Sequence, residues 1–326
     1  MPGFLTHYIG GQSVLGLACP HVREYIRPAA KVYNLGTQGP DIFFYHLTGL
    51  ITSRVRGVGS QMHDSNLGLF FLHMADYIKN SQSPAGRQIV FAYTAGLLAH
   101  YGVDVHTHPY VYARTHNPPG SRIKESARHR HFETSIDVLM LRRMYGKRPG
   151  DLQQWRFISP KKVQLRVAAA AMSEGIREIY GRDIGPVDVY HAMAQMGQLT
   201  KRLQSKTGRR KRWLQRAEGL VVKAHIISAL VHMQEVTDGV DYLNLEKTPW
   251  SAPWAVGEAR MESFIELFDT AVADAARMTQ ALYEYINGRL PKHELAGIIM
   301  NRSLKTGADG MDNGTISPAP AHVNIP

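Results

Sequence analysis

Length, composition and charge set the first limits on this chain. It has 326 residues, of which 44% are hydrophobic, and this is enough for a sizeable core. A single cysteine, Cys19, excludes both an internal disulfide framework and a zinc site built on thiolates. The formal net charge of +11 indicates an anionic partner: a phosphorylated substrate, nucleic acid or an acidic membrane surface.

The first twenty residues have no basic start and no uninterrupted apolar stretch, so no signal peptide is predicted. With so little cysteine, we expect a reducing, cytoplasmic setting. No stretch reaches the roughly 18 apolar residues of a membrane span. Any contact with an acidic membrane is therefore expected to be peripheral.

Apolar residues recur with helical periodicity along most of the chain, and strand signals are few. Helices are predicted, in chain order, over 67–79, 88–107, 124–145, 161–180, 186–204, 212–236, 258–287 and 291–302. Gly288 is a predicted C-cap of the longest one. Loops containing glycine and proline are predicted at 36–40, 117–120 and 146–150. The fold class is therefore all-α.

The domain prediction is one all-α domain over residues 1–303. Its first part, about 1–145, carries most of the histidines, and the remainder, about 150–303, is a helical support. Residues 304–326 lack periodicity and are rich in small, polar and proline residues. They are predicted to form a disordered tail.

The strongest local motif combines His100, Asp104 and His108, which are spaced by four residues. His100 and Asp104 at i and i+4 share one face of a helix, as two ligands of one metal ion do. Pro109 disfavours helical geometry at the residue before it, so the helix is predicted to end at His108. His108 can then turn toward a second ion.

A second motif, His129 and Glu133, repeats the pairing of histidine with carboxylate on the next predicted helix. Asp137 extends this face by one turn and is expected either to support the site or to lie in solvent. One such pair is usually a surface hydrogen bond, but two pairs favour a site for two or more divalent ions. Imidazole and carboxylate without thiolate suit zinc. The histidines expected to be bystanders or supporting groups are His106, His116 and His131.

Several sequence blocks in a fixed order carry a resemblance. They are MPGFLTHYIGG (1–11), LGTQGPDIFFY (35–45), MHDSNLGLFF (62–71), GLLAHYGVDVHTHPY (96–110), HRHFETSIDVLML (129–141) and DYLNLEKTPW (241–250). Together they resemble the bacterial zinc-dependent phospholipase C family. The order of ligand types is also similar to that of the single-strand-specific zinc nucleases of the same superfamily.

The resemblance implies an all-helical fold that holds two to three zinc ions. The implied ligands are, for the first ion, Asp41, His63, His100 and Asp104; for the second, His108, His129 and Glu133; for the third, His7 with Asp104 as a bridge. In the superfamily the mature N-terminal amine completes the third site. The chain lacks the family's N-terminal tryptophan. Met1 precedes Pro2, a context in which the initiator Met is often removed, so we expect removal of Met1 and ligation by Pro2.

The function that the resemblance implies is a zinc-dependent hydrolase of phosphate esters, and specifically a phosphodiesterase of the phospholipase C type. Asp41 is the expected general base as well as a ligand. Phospholipid, nucleotide and nucleic acid remain open as substrates. The basic segment 206–213 is expected either to contact phosphates or to be a solvated helix start, and Trp250 and Trp254 either to wall the site or to pack within a loop.

Two alternatives remain open at this point. The dipeptide His63-Asp64 is also found in helical metal phosphohydrolases of the HD type, which would use Asp64 and leave Asp41, His129 and Glu133 idle. The other alternative is a non-catalytic, metal-stabilised module that binds nucleic acid or an acidic membrane. Closed coordination of the metal would favour that alternative.

Overall fold

The computed structural model describes residues 3–46, 52–116, 125–203, 233–255 and 257–308. Within these ranges the regular structure is helical, and Trp250 and Arg260 form an isolated antiparallel bridge. The α-helices described are α1 (Phe4–Leu17), α2 (Pro20–Ile26), α3 (Ala30–Gly36), α4 (Thr52–Asp64), α5 (Leu67–Asn80), α6 (Pro84–Thr115), α7 (Glu125–Tyr145), α8 (Lys162–Tyr180), α9 (Pro186–Leu203), α10 (Phe264–Ile286) and α11 (Lys292–Ile299). Short 3₁₀ helices occur at Arg27–Ala29, Gly39–Tyr45, Pro149–Asp151 and Gln154–Arg156. The predicted all-α class is confirmed.

Helix α6 lies at the centre of the fold. Its residues from Val90 to Val105 are all buried, as expected for a helix that is apolar on every side. Helices α1, α3, α5, α7, α8 and α10 all contact it. Ser83 starts α6 by accepting a hydrogen bond from the Gly86 N–H at 3.1 Å, and Pro84 follows at the first helical position.

Two glycines allow α3 to approach α6 closely. A Cβ atom at Gly36 would overlap the backbone of α6 at Tyr93, and one at Gly96 would overlap the carbonyl of Tyr33 on α3. This crossing sets the 3₁₀ helix Gly39–Tyr45, which follows α3, against the middle of α6. It thereby brings a second part of the chain to the histidines of α6.

The ends of the long helix α10 follow local signals, and its start differs from the prediction. Helix α10 begins at Phe264 rather than at 258, because Ser263 and Glu266 form a capping box there. At the other end Asn287 is the C-cap, and Gly288 follows it with φ of +74°. The left-handed conformation at Gly288 explains why a glycine stands at this position.

The prediction that the helix ends at His108 is wrong. Helix α6 continues through Pro109 to Thr115, and both His108 and Pro109 are buried. Packing on several sides stabilises this stretch enough to outweigh the local preference against helix before a proline. His108 therefore stays on the same helix face as Asp104.

Of the predicted tail, residues 304–308 are described: Leu304 is fully buried, 305–307 are partly buried and Ala308 is exposed. Three other predictions, the helix over 212–236, the basic segment 206–213 and the loop 117–120, lie wholly or mostly outside the described residues, as do Met1 and Pro2. The short helices between Phe4 and Gly36 had no counterpart among the predicted elements.

Among the described helices, none is long and apolar enough to cross a membrane.

Candidate metal centre

The eight predicted ligand residues come together from five helical elements. Helix α1 supplies one, the 3₁₀ helix Gly39–Tyr45 one, α4 one, α6 three and α7 two; in chain order they are His7, Asp41, His63, His100, Asp104, His108, His129 and Glu133. All of them are buried except His129, which is partly exposed. Helix α6 therefore contributes the largest share of the candidate ligands, and the other four elements add the rest.

The first cluster lies where α1, α4 and the 3₁₀ helix meet α6. Its potential ligand atoms form two groups that share His100. One group is His7, Asp41 and His100, and the other is His63, His100 and Asp104. Nε2 of His100 lies 3.0 Å from Oδ2 of Asp104, and Nε2 of His7 lies 3.3 Å from Oδ1 of the same carboxylate. Nε2 of His63 lies 3.1 Å from Oδ1 of Asp41.

The second cluster joins α6 to α7 through His108, His129 and Glu133. Oε1 of Glu133 lies 2.8 Å from Nε2 of His129 and 3.6 Å from Nε2 of His108. Nε2 of His108 also lies 3.7 Å from Oδ1 of Asp104. Asp104 therefore faces both clusters, and within the first it lies between His100 and His7, the residues that the resemblance assigns to the first and third ions.

These separations fit zinc ligation. Zinc binds imidazole nitrogen and carboxylate oxygen at about 2.0–2.1 Å, so two ligand atoms on a tetrahedral ion lie about 3.3 Å apart. The six nitrogen–oxygen separations in the two clusters range from 2.8 to 3.7 Å. The donor set, imidazole and carboxylate, is also the one that zinc accepts in hydrolases.

Four of the imidazole rings are oriented by hydrogen bonds from Nδ1. The acceptors are the carbonyl oxygens of Gly59 for His63 at 2.7 Å, of Thr37 for His100 at 3.2 Å and of Leu304 for His108 at 2.5 Å, and Oγ1 of Thr115 for His129 at 3.3 Å. A carbonyl oxygen only accepts, so the proton of the three rings that bond to one is on Nδ1. The lone pair of Nε2 then faces the cluster, which is the tautomer that a metal ligand needs.

Several atoms of the first cluster have no hydrogen-bond partner among the described residues. They include Nε2 of His7, His63 and His100 and both carboxylate oxygens of Asp104. Buried polar atoms left unpaired are costly, and a lone pair on nitrogen facing a carboxylate oxygen is repulsive. A cation between these atoms removes both penalties.

Burial and neighbouring charges shift the pKa values of Asp104 and of the rings around it in different directions. Burial alone would raise the pKa of Asp104, but His108, His100 and His7 outweigh it and hold the pKa well below its usual range. Burial lowers the pKa of His108 to about 4, against the opposing effect of Asp104. Burial and the nearby His100 also lower the pKa of His7. Burial lowers the pKa of His100 too, but Asp104 outweighs it and raises that pKa overall. The Asp104 carboxylate is therefore ionised, and the three rings around it differ in how readily they take up a proton.

Asp137 supports the site rather than lying in solvent. Its carboxylate is fully buried and accepts hydrogen bonds from the backbone N–H groups of Leu5 and Thr6 at 3.0 and 2.7 Å, and from the Thr6 hydroxyl at 2.6 Å. It thus satisfies the N-terminus of α1 from the side of α7. This contact fixes the first turn of α1, which carries His7.

The second cluster borders an open pocket of about 450 Å³. The lining residues are Tyr112, Glu125, Ser126, His129, Arg130 and Glu133. Ser126, His129, Arg130 and Glu133 share one face of α7, because they are spaced at i, i+3, i+4 and i+7. Burial raises the pKa of Tyr112, so its phenol stays protonated, and Nε of Arg130 has no hydrogen-bond partner among the described residues. The pocket therefore offers hydrogen-bond donors beside the cluster.

The remaining candidates lie outside the two clusters. Asp64 forms an ion pair with Lys305. His106 contacts Asp274, His116 contacts Glu125 and His131 contacts Tyr242. The partners of these three histidines are not members of the two clusters, so the structure places the three histidines outside them.

The two tryptophans differ in their surroundings. Trp250 is buried against Tyr110 and donates from its indole N–H to the carbonyl of Glu262 at 3.0 Å. Trp254 packs edge-on against Tyr112, with ring centroids 5.6 Å apart, and Tyr112 lines the pocket. Of the two, Trp254 is the one next to the pocket.

The fold and the clusters define a class: an all-helical protein whose clustered imidazole and carboxylate groups could hold metal ions. A family model described as zinc dependent phospholipase C matches residues 11–182, which is more than half of the 326 residues. The chain therefore belongs to the zinc-dependent phospholipase C family. The match includes every predicted ligand except His7 and ends well before Leu304. No curated protein and no solved structure matches the chain.

Proposed function

We propose that this protein is a zinc-dependent phosphodiesterase that cleaves a phospholipid at the glycerol side of its phosphate. The observation that carries the proposal is the pair of clusters, with ligand atoms at the spacing of zinc ligands, next to an open pocket. Family membership supports a phospholipid as the substrate and zinc as the metal. Two or three ions is the expected content.

Zinc held by these residues would lower the pKa of a water molecule toward ~7 and would draw negative charge from the phosphoryl oxygens. The residues of the chain have separate tasks. Asp41 is buried, and its Oδ1 has no hydrogen-bond partner among the described residues, so it can accept the proton of the attacking water. Arg130 and the Tyr112 hydroxyl can bind the phosphate oxygens from the pocket side.

The geometry favours this proposal over both alternatives. An HD-type site needs Asp64 as a ligand, yet the carboxylate of Asp64 pairs with Lys305. A purely structural metal site is closed, whereas the second cluster borders the pocket and His129 is partly exposed. Both features support a site that a substrate can enter.

Two substitutions test the proposal in one assay. Asp41→Asn keeps an oxygen for the metal but cannot take a proton, so we expect kcat to fall by roughly 10²–10⁴-fold with KM little changed. Asp64→Asn is the matched control and is expected to be nearly silent. The substrates are phosphatidylcholine, phosphatidylethanolamine, phosphatidylglycerol, a dinucleotide and a phosphate monoester, with release of each product measured.

The outcomes separate the possibilities. Cleavage of only the dinucleotide would replace phospholipid by nucleic acid as the substrate. Loss of activity in Asp64→Asn but not in Asp41→Asn would favour the HD-type site. A wild-type protein that binds zinc and vesicles or nucleic acid but cleaves none of the substrates would be a binding module.

A further inference from the structure

The segment that follows α11 reaches back to the metal centre. We call residues 300–308 the strap. It begins at Met300, which has φ of +60°, an unusual value for a residue with a side chain. Gly68 on α5 allows the strap to pass, because a Cβ atom there would overlap the carbonyl of Met300. Leu304, in the middle of the strap, is fully buried.

Leu304 contacts ligand residues of both clusters through its backbone. Its carbonyl oxygen accepts the hydrogen bond from Nδ1 of His108 at 2.5 Å. Its N–H donates to the carbonyl oxygen of His63 at 3.2 Å. The first bond fixes the tautomer and the plane of the His108 ring, whereas the second fixes only the main chain at His63.

A largely buried ion pair holds the strap in this position. The guanidinium of Arg302 lies 2.7 Å from the carboxylate of Asp274 on α10, and the two side chains are only 11% and 12% exposed. The backbone N–H of Arg302 also donates to the hydroxyl of Tyr101 at 2.8 Å. Asp274 holds Arg277 as well, at 2.8 Å, but that arginine is 59% exposed.

We infer that the strap is a positioning element of the metal centre, in which Arg302 and Asp274 hold the Leu304 carbonyl against His108. The inference rests on the metal centre of the proposed function but not on the reaction. A hydrogen bond to the far nitrogen of a ligating imidazole typically contributes roughly 10–100-fold to metal affinity. The cluster of His108, His129 and Glu133 should depend on the strap most.

The test measures zinc affinity by competition with a chromogenic chelator. Arg302→Met removes the charge of Arg302 but keeps most of its apolar length. Arg277→Met removes the other arginine of the same carboxylate and is the matched control. We expect Arg302→Met to weaken one zinc equivalent by roughly 10–100-fold and Arg277→Met to leave zinc affinity unchanged.

Two further variants keep the test decisive. Arg302→Lys can still pair with Asp274, so it should restore most of the affinity, which a loss of packing alone would not predict. If Arg302→Met does not fold, Asp274→Asn weakens the same ion pair with a smaller change in shape, and the same loss of zinc affinity is expected. A folded Arg302→Met or Asp274→Asn protein with the zinc affinity of Arg277→Met would overturn the inference.

The result also separates this inference from the proposed function. Zinc binding that depends on Arg302 in a protein without hydrolytic activity would contradict the reaction and support the strap. Hydrolysis of phospholipid together with zinc affinity indifferent to Arg302 would support the reaction and contradict the strap.

Discussion

The imidazole ring of His7 stacks on that of His100, with centroids 3.9 Å apart and planes inclined by 23°. Both rings are fully buried and both reach the carboxylate of Asp104. Two protonated imidazoles at this distance would repel each other. The stack therefore disfavours protonation of both rings at once, and it ties α1 to the centre of the fold.

The first prediction is the zinc content. Protein purified without added metal should contain two to three zinc ions per chain, since three groups of potential ligands are present. His129→Ala removes one ligand of the second cluster, so the content should fall by about one ion. Elemental analysis of the purified protein measures both values. Fewer than about one and a half ions, unchanged in His129→Ala, would contradict the assignment of the second cluster.

The second prediction concerns Gly39, which has φ of +54° and faces His100. Gly39→Ala adds a methyl group that would overlap the imidazole of His100, and it also strains the backbone by roughly 1–2 kcal/mol. We expect loss of zinc from the first cluster and loss of activity.

Gly288→Ala is the control for this substitution. Gly288 has φ of +74°, but a Cβ atom there meets open space. The Gly288→Ala variant should have a lower melting temperature because of the backbone strain, but it should keep its zinc. Equal zinc contents in the two variants would mean that the approach of Gly39 to His100 is unimportant.

The third prediction concerns Asp137. Asp137→Ala leaves the N-terminus of α1 without its buried acceptor, and each buried donor left unpaired costs about 1–3 kcal/mol. Stability by denaturant titration should fall, and zinc affinity should fall with it because His7 loses its fixed position. Thr6→Val removes only the hydroxyl donor and should have a much smaller effect on both. A stable Asp137→Ala protein with normal zinc content would show that α1 is held by other contacts.

The fourth prediction concerns the pocket. Arg130→Gln should raise KM for an anionic substrate roughly tenfold, because a charged hydrogen bond contributes about 1.5–3 kcal/mol. The change in kcat should be smaller. Arg143→Gln removes the same charge from the exposed far end of α7 and should leave KM unchanged at physiological salt. If both variants raise KM equally, the effect is one of overall charge and not of the pocket.

The sequence predicted the part of the centre that depends on local spacing. His100 with Asp104, and His129 with Glu133, meet because residues four apart share one helix face. The helix end predicted at His108 was wrong because burial of α6 on several sides outweighs the preference of a single proline. Local sequence preferences predict the end of a helix only where tertiary packing does not outweigh them.

The strap could not be predicted for a different reason. Leu304 contributes main-chain groups, and every residue other than proline has the same N–H and C=O. No side-chain pattern therefore distinguishes 304 from its neighbours. Asp137, by contrast, was visible as a carboxylate one turn beyond Glu133, but its partners on α1 are more than 130 positions away in the chain.

The hydrogen bond between His108 and Leu304 also has a consequence for the order of folding. It joins residues 196 positions apart, whereas His100, Asp104 and His108 come together as soon as one helix forms. Closing so long a loop costs conformational entropy, so contacts of this kind form late. We therefore expect the candidate ligands of α6 to come together before the strap fixes His108. Zinc that is present during folding would then bind to the residues of α6 first, and the strap would fix the His108 ring afterwards.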